Sequence, residues 1–174
     1  MTQTFEQDDN PRPRTRKRID DLLQQRRRML VLLWELSKLD PNDIDTTTKD
    51  VLDEFLETLV DYIASGHFRL YRRISEGKER RFPVVETAKE IYPRISQTTD
   101  IAIDFTDRYE AADDGRLRSQ VTEDLSALGE EVTTRIELED RLILAMLGPE
   151  YPIPPSSTSR SHLSFRPARR VTLF

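Results

Sequence analysis

Leu59-Val60-Asp61-Tyr62-Ile63-Ala64-Ser65-Gly66-His67-Phe68-Arg69-Leu70-Tyr71 reads as an amphipathic helix with several side chains out of place. Its apolar stripe begins upstream at Leu52, Phe55 and Leu56, passes through Leu59 and Ile63, and continues at Leu70 and Ile74. That spacing predicts one helix from near Thr48, unbroken through Gly66 and ended by Glu76-Gly77-Lys78-Glu79. A glycine inside a helix costs about 1 kcal/mol relative to alanine, so Gly66 implies a close packing contact or a slight bend. At about 100° per residue, Asp61, Ala64, Phe68 and Tyr71 share a sector turned away from the Leu59/Leu70 stripe. Aromatic rings there are either covered by a bend or loop, or offered to a partner. Single exposed apolar residues are ordinary, so Phe68 alone decides nothing.

The same period runs through the rest of the chain. Ile19, Leu22, Leu23, Leu30, Leu33 and Leu36 mark a first helix. It ends near Leu39, because Pro41 disfavours helix at Asp40. Val31 and Leu32 lie off its buried face and, with Phe68, suggest a binding groove or a wider core face. Asp45 or one of Thr46 to Thr48 caps the second helix. Val85, Ala88, Ile91, Tyr92, Ile95, Ala102, Phe105 and Tyr109 point inward from a third helix, about Val84 to Tyr109. Pro93 predicts a kink, or a break into two helices, near residues 89–93. After the Asp113-Asp114-Gly115 turn, a fourth helix carries Leu117, Val121, Leu125, Leu128, Val132, Ile136, Leu142, Ile143 and Met146 up to Gly148-Pro149. Long amphipathic helices with short connections imply an all-α fold, an antiparallel up-down-up-down four-helix bundle over 18–147. Residues 1–17, polar and carrying Pro11 and Pro13, read as a disordered arm. Residues 148–174, rich in proline, serine and arginine, read as an unstructured tail in which Phe165, Leu173 or Phe174 could dock.

Composition narrows the class. A chain of 174 residues suffices for one domain with a real core. Five glycines are too few for a turn-rich all-β protein. The absence of cysteine excludes disulfides and thiolate metal sites. No apolar run approaches the roughly 20 residues of a membrane span, and Met1 to Asn10 has no apolar signal region. A cytoplasmic protein is the expectation. Residues 1–18 hold five basic and three acidic groups, and residues 148–174 four arginines and one glutamate. Against a formal total of −5, this leaves −10 on residues 19–147. Such a body is repelled by nucleic acid and attracted to basic protein surfaces, although solubility alone also accounts for it.

On the fourth helix Arg135 and Glu139 interrupt the apolar stripe, four residues apart and able to pair. A buried carboxylate needs a partner, and His67, at the edge of the second helix's stripe, could be another. A structural polar network is the better reading, and a small internal site that tunes a partner surface the sharper one. Enzyme chemistry has little to work with: there is no cysteine nucleophile and no phosphate-binding glycine loop. A di-iron bundle needs Glu-x-x-His twice. Here Ala64 precedes His67 and Ser159 precedes His162 at that spacing, so neither metal nor cofactor is expected. A small helical enzyme using His67 and Glu139 as acid–base groups remains the weakest alternative.

Two strings carry a resemblance: Leu-Val-Asp-Tyr-x-x-x-Gly-His-Phe-x-x-Tyr at 59–71 and Leu-Glu-Asp-Arg-Leu-Ile-Leu at 138–144. Ile19-Asp20, Leu23, Arg26 and Leu30 match more loosely. Over residues 17–147 the chain resembles the Rsd/AlgQ family of small bacterial regulators. It departs from that family at Leu22, usually tryptophan, and at Asp21, usually arginine. The resemblance implies a monomeric bundle that grips the C-terminal domain of the primary sigma factor. That domain is a basic helix-turn-helix module that reads the −35 promoter element and docks on RNA polymerase. Such an anti-sigma factor acts by occupancy, without a reaction, and favours alternative sigma factors in stationary phase. Carried onto this sequence, the partner-binding residues are Asp20, Arg26, Leu30, Asp61, Ala64, Phe68 and Tyr71, with Asp140 at the rim. His67, Arg135 and Glu139 form the internal polar network. Family members also suggest a metabolic coupler, binding a phosphocarrier protein of sugar transport or a stringent-response enzyme. Direct nucleic acid or membrane binding is not implied.

Overall fold

The computed structural model describes residues 11–154. Among these residues the protein is all-helical, with four long helices and no strand. They are α1 (Pro11–Leu36), α2 (Thr46–Gly66), α4 (Phe82–Tyr109) and α5 (Asp114–Leu147). Between α2 and α4 the chain makes a π-helical turn, His67–Tyr71, and a one-turn helix, α3 (Arg72–Ser75). Among the described residues no helix is long and apolar enough to cross a membrane.

The helix ends follow local chemistry. Asp45 caps α2, its carboxylate accepting the Thr48 backbone N–H at 2.7 Å. Asp113 caps α5 in the same way through Arg116, at 2.8 Å. Gly148, at φ 96°, ends α5 in a conformation that residues with a side chain rarely adopt. Helix α1 starts at Pro11, so the part of the 1–17 arm from Pro11 onward is helical. Its two prolines fall in the first turn, where backbone N–H groups have no intrahelical acceptor to lose. Residues 1–10 lie outside the described residues. So do residues 155–174, with Phe165, Leu173 and Phe174. Past Gly148 the chain folds back: the Tyr151 hydroxyl donates to Asp20, and Arg16 sits over the Tyr151 ring.

Pro93 does not break its helix, and α4 is continuous across it. The residue is exposed, on the side where water can serve the freed carbonyl. Its neighbour Tyr92 is exposed too, where the period predicted an inward ring.

Helix α1 packs chiefly on α2 and α4 on α5, with further contacts of α1 on α5 and of α2 on α4. Ion pairs Arg28–Glu54, between α1 and α2, and Asp21–Arg69, between α1 and the π-turn that follows α2, run antiparallel, rising numbers on one side meeting falling numbers on the other. Arg94–Glu131 and Arg108–Asp124 link α4 to α5 in the same sense. The core between them holds Leu22, Leu33, Phe55, Leu59, Leu70, Ile91, Leu125, Leu128 and Ile136. Each such side chain contributes roughly 1.5–3 kcal/mol through burial. Leu22 is fully enclosed, and Leu32, expected off the buried face, is buried as well.

Candidate partner-binding site

The π-turn decides which side chains reach the surface. Within it the Arg72 N–H bonds to the His67 carbonyl, five residues back. The wider turn advances less per residue than an α-helix, so positions after Gly66 rotate away from where a straight wheel puts them. Tyr71 is therefore only 2% exposed, not on the open sector with Phe68, and its ring packs edge-on against Tyr92. Phe68 stays out, at 60% exposed, with Asp61 exposed and Ala64 half-buried on the same helix. His67 is exposed as well; its ring meets Phe68, and it makes no contact with Glu139. It is thus not part of the internal network, and the acid–base pair it would form with Glu139 is not assembled.

Beneath this face lies a buried polar cluster drawn from all four long helices. Glu139, with no exposed surface, accepts from the Tyr62 hydroxyl, from Arg26 Nη2 at 3.2 Å and from Arg135 Nε at 2.8 Å. Arg135 Nη1 reaches Thr99 Oγ1 at 2.8 Å and Thr98 Oγ1 at 3.2 Å on α4. Arg26 Nη1 donates to Asp140 Oδ1 at 2.5 Å. Two guanidiniums thus face two carboxylates, and the cluster is formally neutral. Burial works against the Arg26 charge, but Tyr62, Glu139 and Asp140 together outweigh it and hold its pKa above the ordinary value. Burial pushes the Tyr62 and Tyr71 hydroxyls upward, with Glu139 adding to both, so both stay protonated; Tyr62 donates to Glu139, whereas the buried Tyr71 hydroxyl has no hydrogen-bond partner.

Gly66 belongs to this arrangement. A Cβ there would lie 3.1 Å from Glu139 Oε1 and 3.3 Å from Arg135 Nη2, which is the close packing contact its sequence position implied.

Other predicted site residues divide between surface and interior. Arg26, expected to touch the partner, is 4% exposed and belongs to the cluster. Its Asp140 partner is half-buried at the rim. Leu30 is half-buried against the core, and Asp20 is exposed but holds Tyr151, towards the end of α5. The sequence reading missed Tyr62, Thr98 and Thr99. Tyr62 carried a usable signal, since a tyrosine inside a buried stripe needs a partner for its hydroxyl. It also missed Trp34, 55% exposed on α1 beside exposed Val31. Asp21, which departs from the family's usual arginine, pairs with Arg69 at 2.8 Å.

Among known proteins, no solved structure matches. The regulator of sigma D of Shigella dysenteriae serotype 1 is 33% identical over 134 residues, covering 75% of this chain and 84% of its own. The regulator of sigma D of Escherichia coli K12 (strain DH10B) gives the same figures. That of Salmonella paratyphi A is 33% identical over 131 residues, covering 74% and 80%. A family model described as the regulator of RNA polymerase sigma(70) subunit, Rsd/AlgQ, matches residues 1–147, a span that includes α1, the π-turn and both polar strings. On that match and those identities, the chain belongs to the Rsd/AlgQ family of sigma(70) regulators.

Proposed function

We propose that this protein is an anti-sigma regulator acting by occupancy. It holds the C-terminal, −35-reading domain of the primary sigma factor in a one-to-one complex and withholds it from RNA polymerase, favouring alternative sigma factors. The supporting frame is an up-down-up-down bundle working as a monomer in the cytoplasm. The observation that carries the reading is Phe68, an exposed aromatic ring beside exposed Asp61 on a helix face fixed from below by the neutral cluster. An aromatic anchor with an acidic neighbour suits a basic helical module. Family membership supplies the partner, and the −10 charge of residues 19–147 supplies the long-range attraction.

Titration calorimetry of the purified sigma C-terminal domain into the full chain tests the reading. Asp61→Ala combined with Phe68→Ala is expected to weaken binding about 100-fold, as loss of an interface anchor and its charged neighbour does. Tight binding by the double variant would overturn the proposed surface.

A further inference from the structure

We propose that the groove between the first turns of α1 and the π-turn–α3 segment is a second site, one that binds a nucleoside polyphosphate. The groove encloses about 700 Å³, within the range of small-molecule sites. Arg18 enters it from α1, Arg69, Arg72 and Arg73 from the π-turn and α3, and Lys78 from the loop that follows; Phe68 forms one wall. Five cations gathered on an otherwise acidic body are not a consequence of composition.

Neighbouring carboxylates neutralise only some of them. Arg69 is shared between Asp21 and the Ser65 hydroxyl. Arg72 and Lys78 both lean on Glu76, at 2.9 and 2.7 Å, and hold its carboxyl down to about 2. Arg18 and Arg73 form no ion pair with a carboxylate among the described residues; Arg73 donates to the Lys78 carbonyl at 3.4 Å and only adds, through space, to the lowering of the Glu79 pKa. Compensation of a helix's carbonyl end accounts for Arg72 and Arg73. It does not account for Arg18, on another helix, or for Lys78 beyond the turn.

The donor set selects the ligand. One carboxylate or one phosphate would engage a guanidinium or two and leave the rest unused. Adjacent phosphates present enough oxygens for several charge-assisted bonds at once. The exposed Phe68 ring, with His67 edge-on to it at 5.4 Å, adds a flat face on which a base can stack. Phosphates plus a planar ring describe a nucleotide; a bare polyphosphate shares only the first half. Asp61 and Phe68 line this groove and also form the proposed partner face. A bound polyanion and a cationic partner therefore compete, a consequence that rests on the anti-sigma reading, whereas the binding itself does not.

Calorimetry of the full chain with ADP, tripolyphosphate and adenosine at low salt tests the site. ADP and tripolyphosphate are expected to bind, and adenosine to give no heat. Raising salt from about 50 to about 300 mM is expected to weaken both phosphates roughly tenfold. Arg18→Ala with Arg73→Ala, both exposed and so compatible with the fold, is expected to weaken both by about tenfold or more. Arg27→Ala with Arg116→Ala, exposed elsewhere, should change nothing. Phe68→Ala should weaken ADP and spare tripolyphosphate. No heat with either phosphate, or binding untouched by Arg18→Ala/Arg73→Ala, overturns the site. Equal binding of ADP and tripolyphosphate, unchanged by Phe68→Ala, overturns the nucleotide assignment in favour of a bare polyphosphate. Saturating ADP should lower affinity for the sigma domain. Should that domain fail to bind at all, the ADP titration still stands, so the two failures are distinct.

Discussion

Glu139 is the residue on which the interior turns, because one carboxylate receives Tyr62, Arg26 and Arg135 at once. Glu139→Gln leaves two buried guanidiniums against Asp140 alone. Breaking a buried ion pair from one side costs about 3–5 kcal/mol, so the urea midpoint of the variant is expected to fall by a large fraction of the total stability. Gly66→Ala sets a gain in helix propensity of about 1 kcal/mol against overpacking of roughly 1–3 kcal/mol. The Glu139 Oε1 it meets first is held by Arg135 Nε at 2.8 Å inside the buried cluster, so a net loss is expected, measured by the same denaturation. Arg135 and Glu139 were legible in the sequence because two charges inside an apolar stripe have few explanations. Arg26 was not, since it falls where a helix can present either to solvent or to a neighbour, and only the partner on α5 decides. His67 misled for a different reason, lying at the first position after the backbone leaves α-helical geometry.

At the scale of elements, periodicity recovered the four long helices and the stop at Gly148, and Asp45 was among the caps expected for α2, whereas Asp113 was read only as part of a turn. The π-turn escaped it, because an α-helical wheel carries no information about a locally wider turn. Tyr71 inherited that angular error, whereas Phe68 stays exposed and Leu70 buried, as the wheel placed them. Of the two outcomes expected at Pro93, the break into two helices does not occur, and Pro11 and Pro13 fall within α1 rather than in an arm, since solvent-facing and first-turn positions both tolerate a missing N–H. The entry to α4 carries a testable electrostatic device. Arg81 donates to the Met146 carbonyl at 2.7 Å, tying the start of α4 to the end of α5, and it is held in turn by Glu79. Hydrogen bonds from Arg81 keep the Glu79 carboxyl at about 2, against 4.5 when free. A carboxylate with a lowered folded-state pKa stabilises the fold above the free value and loses that contribution as pH falls. Acid unfolding followed by circular dichroism should therefore show a stability loss between pH 4.5 and about 2. Glu79→Gln should flatten that part of the curve and leave the profile above it unchanged.

For the molecule as a whole, class and charge were readable from composition, and the exposure of the proposed partner residues only in outline. Burial separated Phe68, Asp61 and Ala64 from Arg26 and Tyr71, and burial depends on packing that no single helix encodes. The separation also sets how association responds to salt. A body of −10 meeting a basic module should lose affinity as ionic strength rises, chiefly through slower association. Stopped-flow binding across a salt series is expected to show the association rate falling more than the dissociation rate rises. The Tyr151–Asp20 clasp carries a practical consequence. By returning the chain after α5 to the first turns of α1, it brings both described ends to the pole where Asp21 meets Arg69, close to Phe68. A bulky group attached next to Tyr151 would crowd the surface proposed for the partner. The reverse-turn corner at residues 110–113, braced by Lys49–Asp114 at the opposite pole, is where a probe or an inserted epitope can be carried without shielding that surface.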